Sequence, residues 1–122
     1  MVLRKNLVAS SFILFLSGAA QADTLFTPPL FDGGSDAFEC ELANVSSEDR
    51  VVRIQIIDAD GIVLSDSGDF ILPAGRSDFV ALSQTRAELY CRFDVQAWRG
   101  DYRGSAAMFN NSGSDFVAVP AR

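Results

Sequence analysis

Apolar and polar side chains alternate along residues 89–98, and this pattern limits the possible folds of the chain more than any other. A period of two is typical of a β-strand with one buried face and one solvated face. Cys91 lies in the middle of the apolar set, and Cys40 holds the same place in the alternating run of residues 38–42. The sequence therefore predicts two strands that face each other across a core and are joined by a Cys40–Cys91 disulfide.

Short apolar runs separated by turn residues make up the rest of the chain, without the spacing of an amphipathic helix. Residues 51–59 are rich in β-branched side chains, and the Asp-Ala-Asp-Gly sequence at 58–61 predicts a hairpin after them. Residues 102–109 are expected to return beside 89–98 as a second hairpin. Residues 24–31 contain two adjacent prolines and can form at most an edge strand, which leaves exchange of this segment with a neighbouring molecule open.

Together these runs predict an all-β fold, namely an immunoglobulin-like antiparallel β-sandwich of about seven to nine short strands with one inter-sheet disulfide. A disulfide is expected to persist only in an oxidising compartment. It would close a loop of about fifty residues, and the chain-entropy model gives such a bridge a stabilisation of about 4 kcal/mol.

The first 22 residues have the pattern of a secretory signal peptide. Two basic residues precede an apolar run at 7–16, and Ala-Gln-Ala at 20–22 provides a small-residue cleavage site. The apolar run is shorter than the roughly 20 residues that a membrane helix needs. We therefore expect residues 23–122 to form a single domain, exported to the bacterial periplasm or beyond the cell and not inserted into a membrane.

Charge and composition exclude several classes of function for residues 23–122. This part of the chain has eight arginines, sixteen carboxylates, no lysine and no histidine, and so a net charge of −8. Such a charge repels nucleic acids and anionic membrane surfaces. Without histidine or lysine, the common nucleophilic triads, Schiff-base chemistry and most zinc sites are not available. We predict a protein that is not an enzyme, with no catalytic residues and no cofactor.

Carboxylates are the remaining candidates for chemistry. Asp58, Asp60, Asp66 and Asp69 lie in two successive turns at opposite ends of the short run 62–64. They offer an alternative function, either as ligands of a Ca²⁺-dependent module or as the acid and base of a hydrolase. Turn aspartates that cap their own backbone explain the same pattern, and on that interpretation the chain has no metal site.

A second candidate site lies at residues 97–103, where Trp98 and Tyr102 alternate with Arg99 and Arg103. If Ala97 points into the core, Trp98 points outward, with Tyr102 expected across the turn. Aromatic and arginine side chains on a rigid loop have the composition of a binding hot spot. The sequence thus predicts a surface for an unknown protein or glycan partner, unless Trp98 only covers the end of the sandwich. The oligomeric state remains open.

The segment from Phe38 to Leu82 resembles the immunoglobulin-like bacterial modules of the CARDB (adhesion-type) kind. The matching pieces are Asn44-Val45-Ser46, Val52-x-Ile54-x-Ile56, Asp60-Gly61 and Leu72-Pro73-Ala74-Gly75 before Val80. Residues 23–122 as a whole are also similar to small exported bacterial proteins of unassigned function. Leu89 stands where antibody domains have a corner tyrosine. The resemblance implies a non-catalytic structural or binding module and assigns no functional residues. From the signal peptide, the all-β pattern, the disulfide and the Trp98–Arg103 segment, we expect an exported domain that binds a partner or forms part of an envelope assembly.

Overall fold

Alternating apolar side chains produce ten β-strands in the computed structural model, which describes residues 22–31, 37–83, 87–109 and 116–122. Six strands form one antiparallel sheet, here called the large sheet, and four form the small sheet. The large sheet contains β1 (Ala22–Phe26), β2 (Leu30–Phe31), β4 (Arg50–Asp58), β5 (Val63–Asp66), β6 (Phe70–Leu72) and β8 (Glu88–Gln96). The small sheet contains β3 (Ala37–Asn44), β7 (Ser77–Leu82), β9 (Tyr102–Phe109) and β10 (Phe116–Pro120).

The longest strands lie at the centre of each sheet. In the large sheet the order is β1, β8, β4, β5, with β2 also paired to β8 and β6 also paired to β4. In the small sheet the order is β10, β9, β3, β7. All the strand pairs are antiparallel, as expected for a sandwich built from short strands.

The core lies between the sheets, and the predicted disulfide crosses it. Cys40 of β3 and Cys91 of β8 are fully buried, and their Cα atoms are 5.7 Å apart. The inner faces supply the large apolar side chains around the bridge, which include Phe38, Leu42, Val52, Ile54, Ile56, Leu89, Phe93 and Val95. The predicted all-β sandwich and its inter-sheet disulfide are therefore confirmed, with more strands than predicted because the first segment forms two.

Two of the predicted chain features are also confirmed. β4 and β5 form a hairpin, and Gly61 in its turn has a φ of 82°, which side-chain-bearing residues rarely adopt. The segment with two prolines forms β1 and β2, and both pair with β8 at the edge of the large sheet of the same molecule. The last residue is attached to the end of β1, because Phe26 and Arg122 exchange two backbone hydrogen bonds of 2.9 Å.

The predicted second hairpin is wrong. β8 and β9 belong to different sheets, so the chain crosses from the large to the small sheet after Gln96. Ala97 takes a φ of 71°, and a short 3-10 turn follows at Arg99–Asp101. These two local features redirect the chain, and Tyr102 consequently begins a strand on the opposite side of the core.

Most of the predicted signal peptide, residues 1–21, lies outside the described part of the chain. The signal peptide and the boundary after residue 22 therefore stay predictions. β1 begins at Ala22. Among the described residues there is no helix of sufficient length and hydrophobicity to cross a membrane.

Candidate partner-binding site

The crossover from β8 to β9, residues 97–103, forms a fixed loop that we call the Trp98 loop. The backbone N–H of Asp101 donates to the carbonyl oxygen of Trp98 at 3.0 Å and closes the 3-10 turn. The Asp101 carbonyl accepts a hydrogen bond of 2.8 Å from the N–H of Val45, and its carboxylate pairs with Nη2 of Arg50 at 3.1 Å. The loop is thus attached to the body of the sandwich on both sides.

Trp98 is the most exposed large apolar side chain described in the structure, with 66% of its surface accessible. Its indole ring lies directly on the backbone of Gly100, where an added Cβ would overlap the ring carbons. Glycine therefore allows the ring to pack closely against the turn. The contact fixes the indole while leaving most of it in solvent.

The two arginines of the loop are both held by hydrogen bonds. Arg99 donates from Nε to Oδ2 of Asp23 at 3.1 Å. The pKa of Asp23 lies below its ordinary value, mainly because the Thr24 N–H donates to its carboxylate and secondarily because of Arg99. Arg103 donates from Nη1 to the carbonyl oxygens of Gly100 and Tyr102, at 3.1 and 2.8 Å. Both guanidinium groups are therefore held in place, and the charge of Arg99 is offset by the Asp23 carboxylate.

Tyr102, which the sequence predicted to be part of the partner-binding surface, is buried and does not belong to it. Only 2% of its surface is accessible, because it begins β9 on the inner face, level with Asn44 of β3. Its hydroxyl donates to the carbonyl oxygen of Gln96, and burial raises the pKa of the phenol to about 12. The ring ties the start of β9 to the end of β8. The structure thus leaves Trp98, Arg99 and Arg103 as the surface residues of the loop.

The four aspartates of the alternative function remain apart. Asp58 accepts hydrogen bonds of 2.9 Å from the N–H groups of Asp60 and Ile62, which makes it a cap for its own turn. Asp66, at the other end of β5, accepts from both Nε and Nη2 of Arg53 at 2.9 and 2.6 Å. The arginine holds the pKa of Asp66 well below its usual range.

Within the described residues, no three or more His, Cys, Asp or Glu side chains come together in a way that could hold a metal ion. The structure therefore does not assemble Asp58, Asp60, Asp66 and Asp69 into one site. It gives two of them clear roles in turns and in an ion pair, and these roles account for their positions.

Two residues that shape the Trp98 loop were missed in the sequence. Gly100 supports the indole, and the spacing Trp-x-Gly was the available signal for such a contact. Asp23 fixes Arg99 from a position 76 residues away in the chain. No local sequence pattern predicts this contact, because the contact depends on the pairing of β1 with β8.

Comparisons with known proteins support the fold. No family model matches the chain, and no curated protein matches it. It is similar to the solved structure of Thermotoga maritima 1070, with a TM-score of 0.52 and 10% identity over 82% of this chain and 93% of that one. The Anabaena sensory rhodopsin transducer gives a TM-score of 0.38 and 15% identity over 63% of this chain and 87% of that one. The first similarity shows a shared fold. The TM-score of the second is too low to support a conclusion.

Proposed function

We propose that this chain is a small exported, non-catalytic β-sandwich that binds a protein or glycan partner through the Trp98 loop. The observation that carries the proposal is an indole that is 66% exposed and yet fixed against Gly100. A large aromatic ring in solvent is unfavourable unless it packs against something else. A partner that covers it would remove this exposed apolar area from water.

The fixed geometry of the loop supports a binding role. Binding is weakened by the entropy lost when side chains become ordered, and groups that are already held in place lose less. Trp98 is held by Gly100, and Arg99 and Arg103 are held by their hydrogen bonds. Tryptophan and arginine are also the residues most enriched at the energetic centres of interfaces. The indole would stack on an apolar surface or on the face of a sugar ring, and the guanidinium groups would donate to polar groups around it.

The remaining parts of the proposal come from composition and from the disulfide. Residues 23–122 lack histidine and lysine, which removes the commonest catalytic bases and nucleophiles. The Cys40–Cys91 bridge is compatible with an oxidising compartment, as the predicted signal peptide requires. Partner binding in the periplasm or outside the cell, alone or in an envelope assembly, is therefore the function that these features favour.

Because Trp98 is the single tryptophan of the chain, its fluorescence reports directly on the proposed site. We expect the emission to shift to shorter wavelength when a partner from fractionated envelope extract, or an oligosaccharide from a defined panel, covers the ring. Trp98→Ala should lose at least about tenfold in affinity for the same partner, in line with interface hot spots, and should leave the melting temperature nearly unchanged.

Phe31→Ala is the matched control, because Phe31 is an aromatic residue that is 65% exposed and is level with Glu88, at the opposite end of β8 from the loop. It should retain the affinity of the wild-type protein. If Trp98→Ala and Phe31→Ala captured the same fractions with equal affinity, the loop would not be the binding site and the proposal would fail.

A further inference from the structure

The outer face of the small sheet, which points away from the core, carries two carboxylates among small side chains. Glu39 and Glu41 of β3 alternate with the buried residues of that strand, and both therefore lie on this face. The residues level with Glu39 on the neighbouring strands are Ala81, Ala107 and Ala118, and those level with Glu41 are Phe79, Ser105 and Pro120. The two carboxylates thus lie in the middle of a largely uncharged surface.

Neither carboxylate has a partner among the described residues. The ion pairs of the described chain all involve other acidic groups. Arg103 lies on the same face, level with Ala43, but it gives its Nη1 to the backbone carbonyl oxygens of the Trp98 loop. Partial burial raises the pKa of Glu39, and the neighbouring charge of Glu41 adds to the effect. Among the described residues, the two like charges therefore lie side by side without an ion pair or hydrogen bond to a cation.

Small side chains and one aromatic ring surround the two carboxylates. Ala107 lies on the outer face but is only 8% exposed, so neighbouring groups cover most of it. Phe79, on the edge strand β7, is 53% exposed and borders the carboxylates on one side. Residues two apart on a strand are separated by about 7 Å, so Glu39 and Glu41 present their charges at the repeat distance of an extended peptide.

We propose that this face docks an extended basic segment of a partner protein, with arginine or lysine at alternating positions opposite Glu39 and Glu41. Such side chains would pair with both carboxylates, and the small residues would accommodate their aliphatic stems. The Phe79 ring would contact the flanking stem or its cation. The proposal does not depend on Trp98, although Arg103 of the Trp98 loop lies on the same face as the two carboxylates.

Charge complementarity favours this occupant over others. A second copy of the chain carries a net charge of −6 and would present the same negative face, so association through it would be repulsive. Nucleic acids are repelled for the same reason. A metal ion would need further oxygen ligands, and the described residues provide no cluster of three acidic groups.

Two labelled peptides of equal composition test the proposal by fluorescence anisotropy. The probe is Thr-Arg-Thr-Arg-Thr, whose arginines share one face when extended, and the control is Thr-Arg-Arg-Thr-Thr, whose arginines point to opposite faces. We expect the wild-type protein to bind the probe several-fold tighter than the control, and to bind it more weakly as salt is raised. Glu39→Gln/Glu41→Gln should weaken probe binding about tenfold, the effect of losing two charge pairs.

Matched variants separate a specific site from general charge. Asp60→Asn/Glu88→Gln removes the same net charge from other exposed positions and should bind the probe like the wild type. Trp98→Ala should also bind the probe normally, so this test can fail or succeed independently of the proposed function. Thermal melts of all variants check that each one is folded, and Glu41→Gln alone should give an intermediate loss.

Several results would overturn the inference. They are an absence of probe binding to the wild type, equal losses in the two double variants, and equal affinity for the two peptides. Self-association that Glu39→Gln/Glu41→Gln abolishes, without peptide binding, would also overturn it, because the occupant would then be a second copy of the chain.

Discussion

Charged side chains are arranged differently on the two outer faces of the sandwich. On the large sheet, neighbouring acidic and basic side chains pair. Arg53 of β4 binds Asp66 of β5 through two hydrogen bonds, and Arg92 pairs with Asp94, two residues further along β8, at 3.1 Å. Arg92 also lies over the ring of Phe26, with 5.8 Å between the guanidinium carbon and the ring centroid. The central charges of that face are therefore paired within the face.

On the small sheet, Glu39 and Glu41 have no such neighbours, and the strands beside them carry alanine, serine and phenylalanine at the same level. Paired charges on a surface contribute little stability, and unpaired like charges oppose folding. Because the unpaired carboxylates Glu39 and Glu41 do not stabilise the fold, a function explains them more readily than stability does. The difference between the faces therefore separates charges that serve the fold from charges that remain available.

The largest expected effect on this comparison comes from Asp66→Ala. The Asp66 carboxylate accepts hydrogen bonds from Arg53, from Gln55 and from the N–H of Gly68. Removing it leaves these donors without their acceptor, and we expect the free energy of unfolding to fall by about 1.5 kcal/mol, discounted for partial exposure. Urea denaturation measures the change. Asp60→Ala, an exposed aspartate of the neighbouring turn, should change stability by less than about 0.5 kcal/mol, and equal losses in both variants would contradict the pairing.

Acid titration should distinguish the two faces by the sign of their pH dependence. The pKa of Asp66 is lowered in the folded state, so its contribution is present above the ordinary carboxyl pKa of 3.8 and is lost as the pH falls below it. The pKa of Glu39 is raised, so its opposition to folding appears as the pH rises through 4.5 and is absent well below it.

Denaturation midpoints from pH 2 to 7 test these signs. The deficit of Asp66→Ala relative to the wild type should shrink on acidification, and any gain from Glu39→Gln should vanish on acidification. A Glu39→Gln gain that persisted unchanged at pH 2 would have to come from packing and not from charge.

The sequence predicted the strands and the bridge because each depends on a local pattern. The alternation around Cys91 and around Cys40 required both sulfurs to face inward, and the Asp-Gly turn before Ile62 specified the β4–β5 hairpin. The crossover after β8 was not predictable in the same way. Ala97 adopts a positive φ, and an alanine in the sequence does not indicate such a conformation. A glycine at that position would have predicted the turn. Tyr102 was misplaced for this reason.

The difference between the outer faces was also hidden. The sequence pattern is the same on both strands. Arg92 and Asp94 alternate with buried residues on β8, as Glu39 and Glu41 do on β3. Arg92 and Asp94 pair along one strand, whereas the pair between Arg53 and Asp66 depends on strand order, which places β5 beside β4. The site on the Trp98 loop was found in part, because composition identified Trp98 but not the support beneath it.

The smallest expected effect is also the one that most directly tests whether the small-sheet face is retained for binding. Glu39→Gln removes a partly buried charge that has no described partner and lies beside Glu41. We expect a gain of about 0.5 kcal/mol in the free energy of unfolding at pH 7, because desolvation and like-charge repulsion are both relieved. Glu48→Gln, which weakens a surface pair with Arg50, should give no gain. A loss of stability in Glu39→Gln would mean that the carboxylate serves the fold, and the contrast between the two faces would then disappear.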